Sequence, residues 1–172
     1  MRKGFRIALG VLGALVAFSS PAVVSGENRS TIRTIPIPPE EHGYSNFDTM
    51  VITTRKGLET FLLETSSRRN MAWNNRAAFE KGLRDAGLDF PNEALVLFRH
   101  TESFGGAEVT LRRPRAEKRK VICEVETRKP TVGTTAVMAY YCFALAVLKS
   151  EFSGVEFRDR NGQAKLIPIP SE

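Results

Sequence analysis

Two unbroken apolar runs, Ala94 to Phe98 and Val137 to Leu148, constrain this 172-residue chain more than any other feature. The shorter is the pattern of a central strand buried on both faces. The longer admits two readings: Ala139, Ala144 and Ala146 suit a buried helix, whereas pairing with the segment before it suits a strand. Between the runs, Ala107, Val109 and Leu111 alternate with Glu108, Thr110 and Arg112, the period of a half-buried strand. Val121, Cys123 and Val125 alternate in the same way with Ile122, Glu124 and Glu126. Gly105-Gly106 marks a turn or a close backbone approach. Arg112 to Lys120 reads as a polar hairpin tip, and Pro130 to Gly133 as a turn. Val155, Phe157, the Asn161-Gly162 dipeptide and Leu166-Ile167 read as a closing hairpin.

The two cysteines decide the reading of the longer run. If residues 119–127 and 137–146 form an antiparallel hairpin, Cys123 opposite Cys142 places Val125 opposite Tyr140 and Val121 opposite Ala144. Apolar positions then meet apolar positions, and directly opposed strand residues lie within disulfide reach. This predicts a strand over residues 137–148 and a Cys123–Cys142 disulfide. The alternative is two buried free thiols.

The N-terminal half reads differently. Arg2, Lys3 and Arg6, the apolar stretch Ile7 to Phe18, and the small residues Val24-Ser25-Gly26 have the order of a secretory signal peptide over residues 1–26. That predicts an extracytoplasmic chain, periplasmic or secreted, with no membrane span after cleavage. The leader holds three of the 25 basic residues and none of the 19 acidic ones, so the formal charge falls from +6 to +3 without it. Residues 27–48, with Pro36, Pro38 and Pro39, read as a flexible arm with at best an extended edge. Met50-Val51-Ile52 suits a short strand. Leu58, Phe61 and Leu62 form one helical face behind a Thr54 N-cap. Phe79, Leu83 and Ala86 form another between an Asn75 N-cap and a Gly87 stop. Gly82 inside that second helix costs about 1 kcal/mol relative to alanine, so packing must hold it. The expected fold is α+β: one domain over residues 49–170, mainly antiparallel sheet as a sandwich or open barrel, with two short N-terminal helices.

No arrangement of residues names a reaction. His42 and His100 lack the three or four convergent ligands a metal site requires. His100, Glu102 and Ser103 share one strand end, where neighbours point to opposite faces and do not converge as a triad. The cysteines fall in apolar segments, where thiols are inert. No phosphate-cradling loop follows Gly105-Gly106. These readings predict no enzyme, no cofactor and no metal. The basic residues Arg112, Arg113, Arg115 and Lys118 could grip an anionic envelope polymer. They have no aromatic partner to stack a base, so no nucleic acid is expected.

The order from Met50 to about residue 168 resembles the C-terminal domain family of PrcB, an exported protease-complex subunit. The resemblance rests on Met50–Ile52, the helix Leu58–Leu63, Asp89-Phe90 before Ala94–Phe98, the turn Phe104-Gly105-Gly106-Ala107, and Cys142 to Lys149. Phe104 and Ala107 stand where the family has threonine and tyrosine. The resemblance implies a small exported module associated with protein assemblies, without catalysis. The partner it implies is another exported protein. Independently of the resemblance, Phe104 beside Gly105 and Gly106 could anchor a partner at an interface or equally tuck into the core. An anionic surface held by residues 112–120 is the alternative, and protease inhibition through the Phe104–Ala107 turn a further one.

Overall fold

The computed structural model describes residues 31–67, 73–129 and 137–170. The leader, residues 27–30 of the expected arm and the turn at 130–133 lie outside the described residues. The spine of the fold is an antiparallel pair, β3 (Glu93–Glu102) and β7 (Ala139–Leu148), in register along the full length of both strands. The strand reading of the longer apolar run holds. β1 (Ile32–Ile35) flanks β7 and β2 (Met50–Ile52) flanks β3, giving the order β1-β7-β3-β2. A second sheet follows the order β4-β6-β8-β9, from β4 (Glu108–Leu111), β6 (Lys120–Arg128), β8 (Gly154–Arg158) and β9 (Ala164–Pro168). β5 (Arg115–Glu117) continues along β6 beyond β4. β6 and β8 are parallel, and the other pairs are antiparallel. The fold is thus α+β, with two sheets and, among the described residues, the two α-helices α1 (Arg55–Ser67) and α2 (Arg76–Asp85).

Strand parity divides the core. Val96 and Phe98 of β3 and Leu145 and Val147 of β7 join Val121, Cys123, Val125, Val155 and Phe157 of the second sheet in one cluster. Leu95, Leu97, Cys142, Ala144 and Ala146, on the opposite face of the first sheet, meet Leu58, Phe61 and Leu62 of α1 and Phe79 and Leu83 of α2. Both faces of the first sheet are therefore covered along Ala94–Leu97 of β3 and Ala144–Val147 of β7, which is why those segments carry no polar alternation. Phe98 and Phe157 join the sheets with ring centroids 3.8 Å apart and nearly parallel planes.

The Cys123–Cys142 hairpin does not form. β6 has β4 and β5 on one side and β8 on the other, and β7 lies between β1 and β3, so neither strand has an edge left for the other. Both cysteines are free and buried. Cys123 faces the cluster between the sheets and Cys142 the helices, so the first sheet separates them. Both segments are strands, but β6 pairs with β4, β5 and β8 and β7 with β1 and β3.

The arm also differs from expectation. Residues 32–48 belong to the core: β1 is an edge strand, and a short 3-10 helix at His42–Asn46 carries the fully buried Tyr44. Tyr44, Phe47, Phe61, Trp73 and Phe79 form an aromatic cluster with centroid separations of 5.1–6.4 Å. The prolines exclude an α-helix, as expected, but not burial. Thr54 caps α1 by accepting the Gly57 N–H at 3.0 Å. Asn75 precedes α2 without a side-chain cap. Instead the buried carboxylate of Glu41 reaches from the arm and accepts the N–H groups of Asn74 and Asn75 at 3.2 and 3.1 Å. A carboxylate there also opposes the positive end of the helix dipole.

Gly82 shows why α2 accepts a poor helix former. A Cβ at that position would lie 2.5 Å from the Pro36 carbonyl oxygen. Hydrogen at Gly82 lets the helix seat directly on the arm backbone. Gly82→Ala should therefore destabilise the protein by about 1–3 kcal/mol through overpacking, although alanine is the better helix former. Urea unfolding midpoints test this; a stabilised variant would refute the contact.

Candidate functional site

The β3–β4 and β8–β9 turns meet the ends of β6 and β7 at one end of the sheets. β3 ends at Glu102 opposite Ala139, where β7 begins, and β4 begins at Glu108 opposite Arg128, where β6 ends. The β8–β9 turn, at 159–163, belongs to the same end: Arg158 pairs with Ala164, and the Arg160 charge acts on Glu102. The β3–β4 turn at 103–107 contains the sequence-nominated Phe104, Gly105 and Gly106. Gly106 adopts φ 78°, a left-handed conformation that favours glycine there. The Tyr141 hydroxyl donates to the Ala107 carbonyl at 2.7 Å and ties the turn to β7. Phe104 is half-buried against the cluster between the sheets, with the Lys129 ammonium 5.4 Å from its ring centroid. Val137 and Met138, just before β7, are about half exposed at 49% and 48%. Sequence patterning did not single out this pair, because they read as the start of a buried run.

Beneath the turn lies a polar connection between the sheets. His100 and Glu102 are two apart on β3 and share a face, and His100 Nε2 lies 2.7 Å from Glu102 Oε1. The Thr127 hydroxyl donates to the same oxygen from β6 at 2.7 Å. Ser103, just past the end of β3, is exposed and joins neither. Burial opposes ionisation of Glu102, but the hydrogen bonds from His100 and Thr127, with the charges of His100 and Arg160, outweigh it and hold the carboxyl below its ordinary value. A cleft of about 210 Å³ opens beside the group, lined by Phe98, His100, Val125 and Phe157 with residues of the β8–β9 hairpin. The one hydroxyl in the group, that of Thr127, is committed as a donor to Glu102. The arrangement links β3 to β6 beneath the turn and sets the His100 imidazole at the cleft wall.

The basic residues spread along β6. β5 pairs with residues 120–122 and Arg112 lies against Glu124, whereas the β3–β4 turn adjoins residue 128. At about 3.3 Å per residue β5 lies roughly 20 Å from that turn along β6, so Arg115 and Lys118 form no common site with Phe104, Gly105 and Gly106. Much of the positive charge is paired. Arg112 bonds Glu126 and lies 3.7 Å from Glu124, and Arg115 bonds Glu124 at 2.6 Å. Arg113 and Lys118 have no carboxylate partner among the described residues. The segment is not a free hairpin tip, because β5 builds it into the sheet.

Neither thiol is placed for chemistry. Burial pushes the Cys123 thiol up to about 12 and raises Cys142 as well. Among the described residues no three acidic, histidine or cysteine side chains gather as a metal site. No helix among the described residues is long and apolar enough to cross a membrane. No protein-family model matches the chain, and no curated protein or solved structure matches it significantly.

Two outcomes follow from this geometry. Because the folded Glu102 carboxyl is held low, its ionised form stabilises the fold above the ordinary carboxylate value of about 4.3. That contribution is lost as pH falls through the lower folded value. Thr127→Val should cost about 1 kcal/mol near neutral pH, and the deficit should shrink as pH drops through the carboxylate range. Urea midpoints of parent and variant at several pH values measure this, and a pH-independent deficit would contradict it. In the folded protein neither cysteine should react with a thiol reagent, and both should react in denaturant. Recovery of a Cys123–Cys142 disulfide from oxidised native protein would contradict the separation of the two thiols.

Proposed function

We propose that this chain is an exported, non-catalytic module that binds another exported protein through the end carrying the Phe104–Ala107 turn, in the manner implied by its PrcB-like pattern. On this reading the two sheets form an open sandwich with the helices against one outer face. The partner is an extracytoplasmic protease or envelope assembly. The observation that carries the reading is the pairing of half-exposed Val137 and Met138 with a turn braced by Tyr141, His100, Glu102 and Thr127. Apolar side chains on a rigidly supported loop are a recurrent basis for protein recognition. The sealed thiols and the isolation of Ser103 from His100 support a binding role over a nucleophilic one.

The alternative, an anionic envelope polymer held by the basic segment, is supported by Arg113 and Lys118. It is weakened by the carboxylates that engage Arg112 and Arg115. Protease inhibition through the turn is weakened by burial of Ala107 and half-burial of Phe104, since an inhibitory loop must present its side chains.

The test is affinity capture from the envelope fraction with the exported chain and with a Val137→Ser, Met138→Ser variant. A specific protein retained by the parent and reduced about tenfold by the variant is expected, in line with the loss of hot-spot side chains. Retention that instead follows neutralisation of Arg112, Arg113, Arg115 and Lys118, with steep salt dependence, would favour the polymer.

A further inference from the structure

β2 is an open sheet edge. The Arg99 N–H donates to Thr49 Oγ1 at 3.1 Å, which places the Arg99 backbone on the β2 side of β3. Backbone groups alternate sides along a strand, so Leu97 and Leu95 also face β2, opposite Met50 and Ile52. Val51, opposite Val96, therefore points its N–H and C=O away from β3. Among the described residues no hydrogen bond satisfies them. The other edges carry protective residues. β1 runs into Pro36, β9 contains Lys165 and Pro168, and Arg112 and Arg113 follow β4. From Thr49 to Thr53 there is neither a proline nor a charge.

A groove of about 500 Å³ lies beside this edge, between β2 and α1. Met50 and Phe61 supply apolar surface, Thr53 and Thr60 hydroxyls, and Gly57 adds no side chain to the helix wall. A second hollow of about 260 Å³ continues from it and shares Met50, Phe61 and Glu64. β9 comes close to β2 but lines no part of the groove. Lys56, on the helix wall, has no acidic partner among the described residues. The site thus combines main-chain groups unpaired among the described residues, an apolar floor and the Lys56 cation, with the Glu64 carboxylate about 12 Å farther along α1.

We propose that this groove takes an extended peptide segment of a partner protein as an added strand on β2. Its main chain pairs with Val51, an apolar side chain enters against Phe61, and an acidic side chain or terminal carboxylate lies at Lys56. Main-chain pairing supplies affinity, and the alternate side chains supply selectivity. The proposal shares with the reading above only the premise that the ligand is a protein; the surface is a different one.

The probe is a phage-displayed library of random octapeptides with free C-termini, selected on the whole exported chain. Selected peptides should carry alternating apolar residues and an acidic group, and should slow amide exchange at residues 49–53 and along α1. Val51→Pro removes the outward donor while leaving the β3 ladder its own bonds. It should weaken binding about tenfold, whereas Val51→Ala keeps most of the affinity. If Val51→Pro fails to fold, Lys56→Glu decides, by weakening acidic peptides and favouring basic ones. Protection mapping to the 103–107 end, no selectable peptide, or affinity indifferent to both Val51→Pro and Lys56→Glu would overturn the proposal. Failure of peptide selection on the β2 groove, with an envelope protein still captured through Val137 and Met138, would remove strand addition alone and leave the binding-module reading standing.

Discussion

The pairing of β3 with β7 is the constraint on which the other elements depend. Leu95, Val96, Leu97, Leu145, Ala146 and Val147 are each no more than 1% exposed, so this pair is dry on both faces. A strand pair in that condition requires a layer on each side. The second sheet covers one face and the helices, with the arm, cover the other. Each buried Leu or Val contributes about 1.5–3 kcal/mol through area removed from water, and the ladder satisfies the backbone groups buried with them.

The helical layer is held by contacts that local sequence does not announce. Arg33 on β1 bonds Glu93 through Nη2 at 2.9 and 3.0 Å and reaches the Ala86 carbonyl at the end of α2 at 3.1 Å. Glu93, nearly buried, also accepts the Asp89 N–H, so its charge is fully partnered. A buried charge in that state is costly to disturb from either side. Glu41 performs the corresponding task at the start of α2. The proline-rich segment therefore serves as a clamp: its carbonyls receive β7 and its side chains fasten α2.

Charge is distributed by the same topology. The outer face of the second sheet pairs Lys120 and Arg158 with Glu156, and Arg112 and Arg115 with Glu124, which holds both glutamates below their ordinary values through those arginine and lysine partners. Such exposed pairs contribute little to stability individually. Their main effect here is to reduce a basic sequence segment to a mixed surface. The opposite end of the sheets instead leaves apolar side chains accessible above a braced turn. The β2 edge adds main-chain groups without partners among the described residues. Function in this chain is a matter of which surfaces the fold leaves unsatisfied.

Short-range pattern by itself determined the elements: period-two alternation in β4 and β6, the i, i+3, i+4 face of α1, Asn161-Gly162 in the β8–β9 turn, and the glycines of the β3–β4 turn. These depend on neighbours within one or two turns of chain, so they are visible residue by residue. Only the tertiary structure decided that β6 and β7 enter different sheets, that Cys123 and Cys142 are separated by a layer, that Glu41 rather than Asn75 caps α2, and that Glu124 occupies the arginines. Apolar strands are interchangeable partners as far as local pattern goes. The choice among them follows from filling both faces of β3 and β7 at once, a condition set by the whole chain and carried by no single segment.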